Sequence, residues 1–147
     1  MRHSVTTEIN QPRQVVFEHL ADLANHEAYM DHVLTDWRFL SEDTTGVGAH
    51  LRVRARGLGD LDITVVECTP DRIEERTLTG KDFSKRARGY YTLRDAAGGG
   101  TEVTFTMEPE ITGLADRVLA TVSGPIVKRG NAKGMARLKA ILEKEGE

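Results

Sequence analysis

The sequence predicts an α+β fold in which a curved antiparallel sheet of six to seven strands holds two short helices and a long C-terminal helix over a cavity. Three features predict it: an alternating segment that turns into a short helix near the N-terminus, a series of alternating segments separated by turns, and helical spacing towards the C-terminus. A chain of 147 residues fits a single domain, 1–147, that can bury a core without disulfides.

The N-terminal segment predicts a strand followed by two short helices. Polar and apolar residues alternate from Ser4 to Ile9, as expected for a half-buried strand. Asn10 is a good helix cap, and Pro12 suits the first helical turn, where no amide donor is lost. The next residues, up to Leu23, form an apolar stripe at helical spacing. A second short helix is expected from Ala24 to about Asp31.

Six further strands are predicted by alternation and by the turn residues that separate them. They cover Val33–Glu42, His50–Arg56, Leu61–Cys68, Arg72–Leu78, Lys85–Asp95 and Thr101–Pro109. Neighbouring strands with short links favour an antiparallel meander.

Helical spacing at the C-terminus predicts the long helix. Its apolar positions are Leu114, Val118, Val122, Ile126, Met135, Leu138 and Leu142. Gly124-Pro125 predicts a kink or a break, because proline removes a hydrogen bond and clashes with the preceding turn. Gly130 and Gly134 thin one part of the helix, which indicates either close packing on the sheet or room for a ligand.

Composition excludes several classes of protein. A net charge of −3 argues against a general nucleic-acid binder, so no nucleic-acid partner is expected. The single Cys68 cannot form an internal disulfide and is interpreted as a small core residue. No apolar run has the length of a signal peptide or of a membrane span, which predicts a cytoplasmic protein.

These elements carry a resemblance to a known superfamily. The segments that carry it are Ile9–Asp22, Tyr29 after the first helix, Gly89–Leu93, Gly100–Phe105 and Leu138–Glu143. In these the chain resembles the START-related SRPBCC superfamily, which includes polyketide cyclase/dehydrase-like proteins and ligand carriers of the birch-pollen-allergen type. The resemblance implies a helix-grip fold with a cavity between the sheet and the terminal helix. It does not choose a function, because members include lipid and hormone binders, cyclases and co-chaperone-like proteins.

Inward-facing side chains are expected to line the cavity, although a filled core is the alternative. The alternation in the strands and the spacing in the last helix predict ligand contacts from Tyr29, Trp37, Val53, Glu75, Thr77, Tyr91, Phe105, Met107, Val118 and Val122. Trp37 is assigned to the same strand face as Val33, Thr35 and Phe39.

Glu75, Tyr91 and Tyr29 are the candidates for chemistry. If Ile73 faces inward, the two-residue period of a strand turns Glu75 inward too. Burial would raise the pKa of its carboxyl and suit it to proton transfer, while the tyrosine hydroxyls can donate to a carbonyl. The alternative is an edge or bulged strand, with Glu75 solvated or paired with an arginine.

Two charged patterns are interpreted as structural. His26 and His32 are six residues apart, whereas metal-binding pairs on a helix prefer three or four, so no metal site is expected. The row Arg52, Arg54 and Arg56 is expected to pair with acidic residues across the sheet, at Asp62, Glu67 or Glu74. Recognition of an acidic ligand is the alternative, and no aromatic ladder accompanies the row to indicate RNA binding.

Three functions remain open. The leading hypothesis is a single SRPBCC-like domain that binds or carries a hydrophobic small molecule, such as a lipid or a polyketide-like compound, without a cofactor. The second is a cofactor-independent enzyme of the polyketide cyclase/aromatase kind. The third is a co-chaperone-like or stress-response interaction module, for which an exposed apolar patch would argue. Homodimer formation is also left open.

Overall fold

The computed structural model describes residues 2–145 and has the predicted helix-grip architecture. Met1, Gly146 and Glu147 of the expected domain 1–147 lie outside the described residues. The strands are β1 (His3–Ile9), β2 (Leu34–Phe39), β3 (His50–Ala55), β4 (Gly59–Thr69), β5 (Arg72–Thr79), β6 (Lys85–Asp95) and β7 (Thr101–Pro109). The α-helices are α1 (Arg13–Ala21), α2 (Glu27–Met30) and α3 (Leu114–Glu145), and a short 3₁₀ turn, Leu23–Asn25, precedes α2.

All seven strands form one antiparallel sheet in the order β1-β7-β6-β5-β4-β3-β2. The chain therefore makes a meander from β2 to β7, and β1 joins it beside β7, with Val5 opposite Phe105. α3 runs along β1 and against α2, which closes the concave side of the sheet. The predicted α+β fold is confirmed.

β2 is shorter than expected and is interrupted by a bulge. Asp36 has a positive φ of 54°, and the pairing with β3 shifts between Thr35 and Arg38. A bulge breaks the two-residue alternation of a strand. The expectation that Trp37 shares a face with Val33, Thr35 and Phe39 is therefore wrong for the last two, which are exposed. Trp37 turns to the concave side, where it lines the pocket with Val33 and Leu34.

The sequence predicted a kink or a break at Gly124-Pro125. α3 passes through these residues as one helix, so of these two alternatives the break is absent. Pro125 is exposed, and water can reach the turn whose hydrogen bond the proline cannot supply. The last part of α3 is anchored beside β1, where the Asn10 amide donates to Glu143 Oε2 at 2.9 Å and Gln11 Nε2 donates to the Leu142 carbonyl at 2.9 Å.

The apolar positions of α3 divide into a buried and an exposed group. Met135, Leu138 and Leu142 are buried in the core, while Leu114, Val118, Leu119, Val122 and Ile126 are largely exposed. The cause is a difference in length. A helix of 32 residues extends about 48 Å, whereas β1, with seven residues, extends about 24 Å. The first turns of α3 therefore project beyond the strand beside it.

Two arginines of the row, Arg52 and Arg54, make cross-strand ion pairs of the kind that the sequence predicted. Arg52 contacts Asp62 at 2.9 Å and Arg54 contacts Asp60 at 3.3 Å, each with the residue directly opposite on β4. Pairing with Glu67 or Glu74 is not found for this row, because β3 pairs with β4 only as far as Thr64. Those two glutamates contact Arg72 instead.

Candidate ligand-binding pocket

A cavity of about 390 Å³ lies between the concave face of the sheet and α3. Its size falls within the range of about 300–1,000 Å³ that is usual for small-molecule sites. Most of the lining is apolar. It includes Leu23, Met30, Leu34, Trp37, Leu51, Leu61, Ile63, Phe105, Met107, Ile126 and Met135.

The exposed lining residues mark the mouth of the pocket. Arg56 and Leu58 lie in the turn between β3 and β4, and Ile126 lies on α3 across from them. All three are exposed to solvent although they line the cavity. A ligand would therefore enter between this turn and the middle of α3.

Glu75 is the only acidic side chain among the described lining residues. Alternation along β5 buries Ile73, Glu75 and Thr77, and β5 has a partner strand on either side. Glu75 is 7% exposed, and its Oε1 has no hydrogen-bond partner among the described protein atoms. Because burial penalises the charged form, the pKa of the Glu75 carboxyl rises to about 7.

His26 faces Glu75 from the link between the 3₁₀ turn and α2. Its Nε2 lies 2.8 Å from the Leu20 carbonyl, which can only accept, so Nε2 carries the hydrogen. Burial lowers the pKa of His26 to about 4 and keeps the ring neutral near pH 7. Nδ1 therefore carries a lone pair, and this nitrogen lies 3.7 Å from Glu75 Oε1.

A pair of buried tyrosines completes the polar end of the pocket. The hydroxyls of Tyr29 on α2 and Tyr91 on β6 lie 2.8 Å apart. Burial raises the pKa of both phenols well above the ordinary value, so both keep their hydrogens. The pair uses one of its two hydroxyl hydrogens internally, which leaves the other to donate to a ligand.

Tyr91 is held against a neighbouring aromatic ring. The rings of Tyr91 and Phe105 have centroids 4.6 Å apart and are tilted by 43°. Gly89 leaves room for this arrangement, since a Cβ there would lie 3.2 Å from Phe105 Cζ. The absence of a side chain at Gly89 therefore helps to place the tyrosine hydroxyl.

The structure brings together seven of the ten residues that the sequence predicts as ligand contacts. Tyr29, Trp37, Glu75, Thr77, Tyr91, Phe105 and Met107 line the pocket. Val53 is fully buried in the core without lining it. Val118 and Val122 are 55% and 67% exposed and lie outside it, because they belong to the projecting part of α3.

Among the polar residues of the pocket that the sequence did not predict as ligand contacts, two are buried: His26 and Asn131. Asn131 is buried on α3 at helical spacing from Val127 and Met135, and this spacing was a signal that could have found it. His26 had no comparable signal, because its position depends on how the turn Leu23–Asn25 folds back onto α1.

The two glycines of α3 have different surroundings. A Cβ at Gly134 would lie 2.5 Å from Met30 Sδ and 3.3 Å from the Tyr29 carbonyl, so this glycine permits close packing of α2. Gly130 lines the pocket, and a Cβ there would lie 3.1 Å from Val33 Cγ1. Close packing thus explains Gly134, while Gly130 also borders the cavity.

His32 does not pair with His26, because both of its ring nitrogens are hydrogen-bonded elsewhere. Its Nε2 donates to the Gly130 carbonyl at 2.9 Å, and its Nδ1 accepts from Arg137 Nη1 at 2.9 Å. Within residues 2–145, no three His, Cys, Asp or Glu side chains are grouped so that they could hold a metal ion.

Comparison with known proteins decides the family. A profile described as polyketide cyclase / dehydrase and lipid transport matches residues 2–143. The chain belongs to this family. The match spans nearly the whole sequence, and it confirms the superfamily resemblance that the sequence motifs indicate. No curated protein is significantly similar to this polyketide cyclase / dehydrase and lipid transport family member in sequence.

Solved structures share the fold of this family member at low sequence identity. The KanY protein, solved by NMR, has a TM-score of 0.77 and 15% identity over 97% of each chain. A protein from Thermus thermophilus has a TM-score of 0.69 and 15% identity over the full length of both chains. DynU16, described as a putative protein in the dynemicin biosynthetic locus, has a TM-score of 0.67 and 20% identity over 97% of this chain and 47% of its own.

No helix within residues 2–145 combines the length and the apolar character needed to cross a membrane.

Proposed function

We propose that this chain is a cytoplasmic carrier that binds a hydrophobic small molecule, such as a lipid or a polyketide-like compound, in the pocket between the sheet and α3. The observation that supports this function is a cavity of about 390 Å³ with apolar walls and a few polar groups at one end. Apolar walls favour a hydrophobic ligand through burial, and a few buried polar groups select its orientation.

Trp37 provides a direct test, since it is the single tryptophan of the sequence and lines the pocket. Titration with 1-decanol is expected to change the tryptophan emission saturably. Ala55→Leu reduces the cavity and should weaken binding severalfold. Val118→Ala, outside the pocket, should not change it. Failure of decanol and of other linear lipophiles to alter the emission or the melting temperature would contradict the function.

An enzyme of the cyclase/aromatase kind is the second candidate, favoured by the buried carboxyl beside tyrosine hydroxyls. With a pKa of about 7, Glu75 would accept a proton from a carbon next to a carbonyl at neutral pH. A hydroxyl of the Tyr29–Tyr91 pair would donate to the carbonyl oxygen as negative charge develops there. With a poly-β-carbonyl substrate, Glu75→Gln should then reduce kcat far more than substrate affinity. An unchanged kcat would exclude this role.

A protein-interaction module is the third candidate, favoured by the exposed apolar face of α3. Leu114, Val118, Val122 and Ile126 follow one another at intervals of four and form a continuous exposed ridge. Such a ridge is complementary to the same ridge of a second copy in a symmetric pair of crossing helices. Sedimentation should show a homodimer that Val122→Lys dissociates. A monomer over the whole concentration range would contradict self-association.

A further inference from the structure

We propose that the ligand of this pocket is a hydrophobic amine, whose nitrogen is held between Glu75 and His26. This inference rests on the proposed binding function and specifies the chemical class of its ligand. It follows from three features of the polar end of the pocket: an excess of hydrogen-bond acceptors, the absence of a nearby cation, and the character of the remaining walls.

Two hydrogen-bond acceptors face each other at the polar end of the pocket. Glu75 Oε1 is buried without a hydrogen-bond partner among the described protein atoms, and the His26 Nδ1 lone pair faces it at 3.7 Å. This separation is too long for a direct hydrogen bond, but one atom can lie about 2.8 Å from both. A ligand hydroxyl has one hydrogen and can satisfy only one of them. A primary amine has two hydrogens, or three when protonated, and can satisfy both.

A positive charge is also missing. The neighbours that face Glu75 are His26 from the turn before α2, Tyr29 from α2 and Tyr91 from β6, and all three are neutral near pH 7. Among the described lining residues the one permanent cation is Arg56, which is exposed at the mouth. Buried charges are stable when paired. An ammonium group would therefore complete an ion pair with ionised Glu75.

The remaining walls fit the body of such a ligand. Phe105 packs on Tyr91 next to the polar end, and these rings with Trp37 offer faces that attract a cation as well as apolar surface. A ligand carboxylate would instead meet the charge of Glu75, which raises the free energy of the complex. The pocket thus favours amines over alcohols and alcohols over acids.

Three ligands of equal length test this order: 1-decylamine, 1-decanol and decanoic acid. At pH 8 the amine should bind at least about tenfold more tightly than the alcohol, and the acid should bind most weakly, as followed by Trp37 emission. The amine requires ionised Glu75, and with a pKa of about 7 the ionised fraction of this carboxyl falls from about one half at pH 7 to about one tenth at pH 6. The affinity for the amine should therefore fall about fivefold over this interval. Decanol affinity should change little over this range.

Two variants test whether Glu75 causes the preference for the amine. Glu75→Gln preserves the shape and should abolish the preference for the amine while decanol still binds. Glu74→Gln is the matched control, because Glu74 lies on the outer face, where it contacts Arg72 and Arg88. If Glu75→Gln does not fold, calorimetry of the wild-type protein in buffers of different ionisation enthalpy provides the same information. Amine binding at pH 6 should then release close to one proton.

The results of these experiments distinguish failure of the amine preference from failure of the proposed carrier function. Equal or tighter binding of decanol or decanoic acid at pH 8 overturns the amine preference and leaves the carrier function standing. Amine binding that is independent of pH and unchanged in Glu75→Gln also overturns it. Binding of none of the three ligands rejects both.

Discussion

Glu75 shows how one side chain acquires its chemistry from its surroundings. A glutamate in an edge strand would be solvated, but β5 lies between β4 and β6, and the strand alternation turns Glu75 away from the arginines of the outer face. The neutral form is therefore the more stable one in the folded protein at mildly acidic pH. The two-residue period predicted the direction of the side chain, and the continuous sheet on both sides explains its burial.

Glu75 is expected to make the folded protein less stable as the pH rises. Its pKa increases from 4.5 in the unfolded chain to about 7 in the fold, so its stabilising contribution is complete below pH 4.5 and is lost as the pH rises through 7. Glu75→Gln removes this loss. From pH 5 to pH 8 the free energy of unfolding of the variant should rise relative to wild type by about 2 to 3 kcal/mol.

Urea denaturation at pH 5, 6, 7 and 8 measures this difference. Glu74→Gln is the control, because the fold lowers the pKa of Glu74 whereas it raises that of Glu75. Hydrogen bonds from Arg88 are the main cause that lowers the pKa of Glu74, so its contribution is present above the unfolded pKa and is lost only as the pH falls below it. The Glu74→Gln difference should stay nearly constant from pH 5 to pH 8. The same flat profile for Glu75→Gln would show that Glu75 is ionised in the fold.

At the scale of elements, α3 shows that helical spacing predicts a helix but not what the helix contacts. The spacing of Leu114, Val118 and Val122 resembles that of Met135, Leu138 and Leu142, yet only the second set is buried. Periodicity is a property of the local sequence, whereas burial depends on whether another element lies opposite. For α3, the length of β1 limits how many turns of the helix are buried.

The two parts of α3 should respond oppositely to substitution. Leu138→Ala removes a fully buried side chain and should reduce the free energy of unfolding by about 2 to 5 kcal/mol. Val118→Lys alters an exposed position and should change it by less than about 0.5 kcal/mol. Thermal and urea unfolding of both variants measure this. A loss above about 2 kcal/mol for Val118→Lys would show that this part of α3 is covered.

Across the whole molecule, the interior combines a packed core with a cavity. Ala49 and Ala55 are both buried alanines on the inner side, but only Ala55 lines the pocket. Extra methylene groups in a packed core cost about 1 to 3 kcal/mol because neighbours must move. A side chain that extends into a void meets no such resistance.

The same substitution at both alanines distinguishes these environments. Ala49→Leu should lower the free energy of unfolding by about 1 to 3 kcal/mol, whereas Ala55→Leu should change it by less than about 1 kcal/mol. Chemical denaturation of the two variants without ligand gives the comparison. Equal, large losses at both positions would mean that the space beside Ala55 is already filled.

The sequence alone predicted the class of fold and most of the strands. Lys85–Asp95 and Thr101–Pro109 have the bounds expected from alternation, and the antiparallel order follows from short links between neighbouring strands. These features depend on periods of two and 3.6 residues, which are visible locally. The inward direction of Glu75, Tyr91 and Phe105 follows from the same periods.

Only the tertiary structure decided which inward residues share the pocket. The bulge at Asp36 turned Trp37 to the concave side, and the turn Leu23–Asn25 carried His26 to Glu75. The length of α3 relative to β1 left Val118 outside. Each outcome depends on a bulge, a turn or the relative length of two elements, and the periods of two and 3.6 residues carry no information about these features.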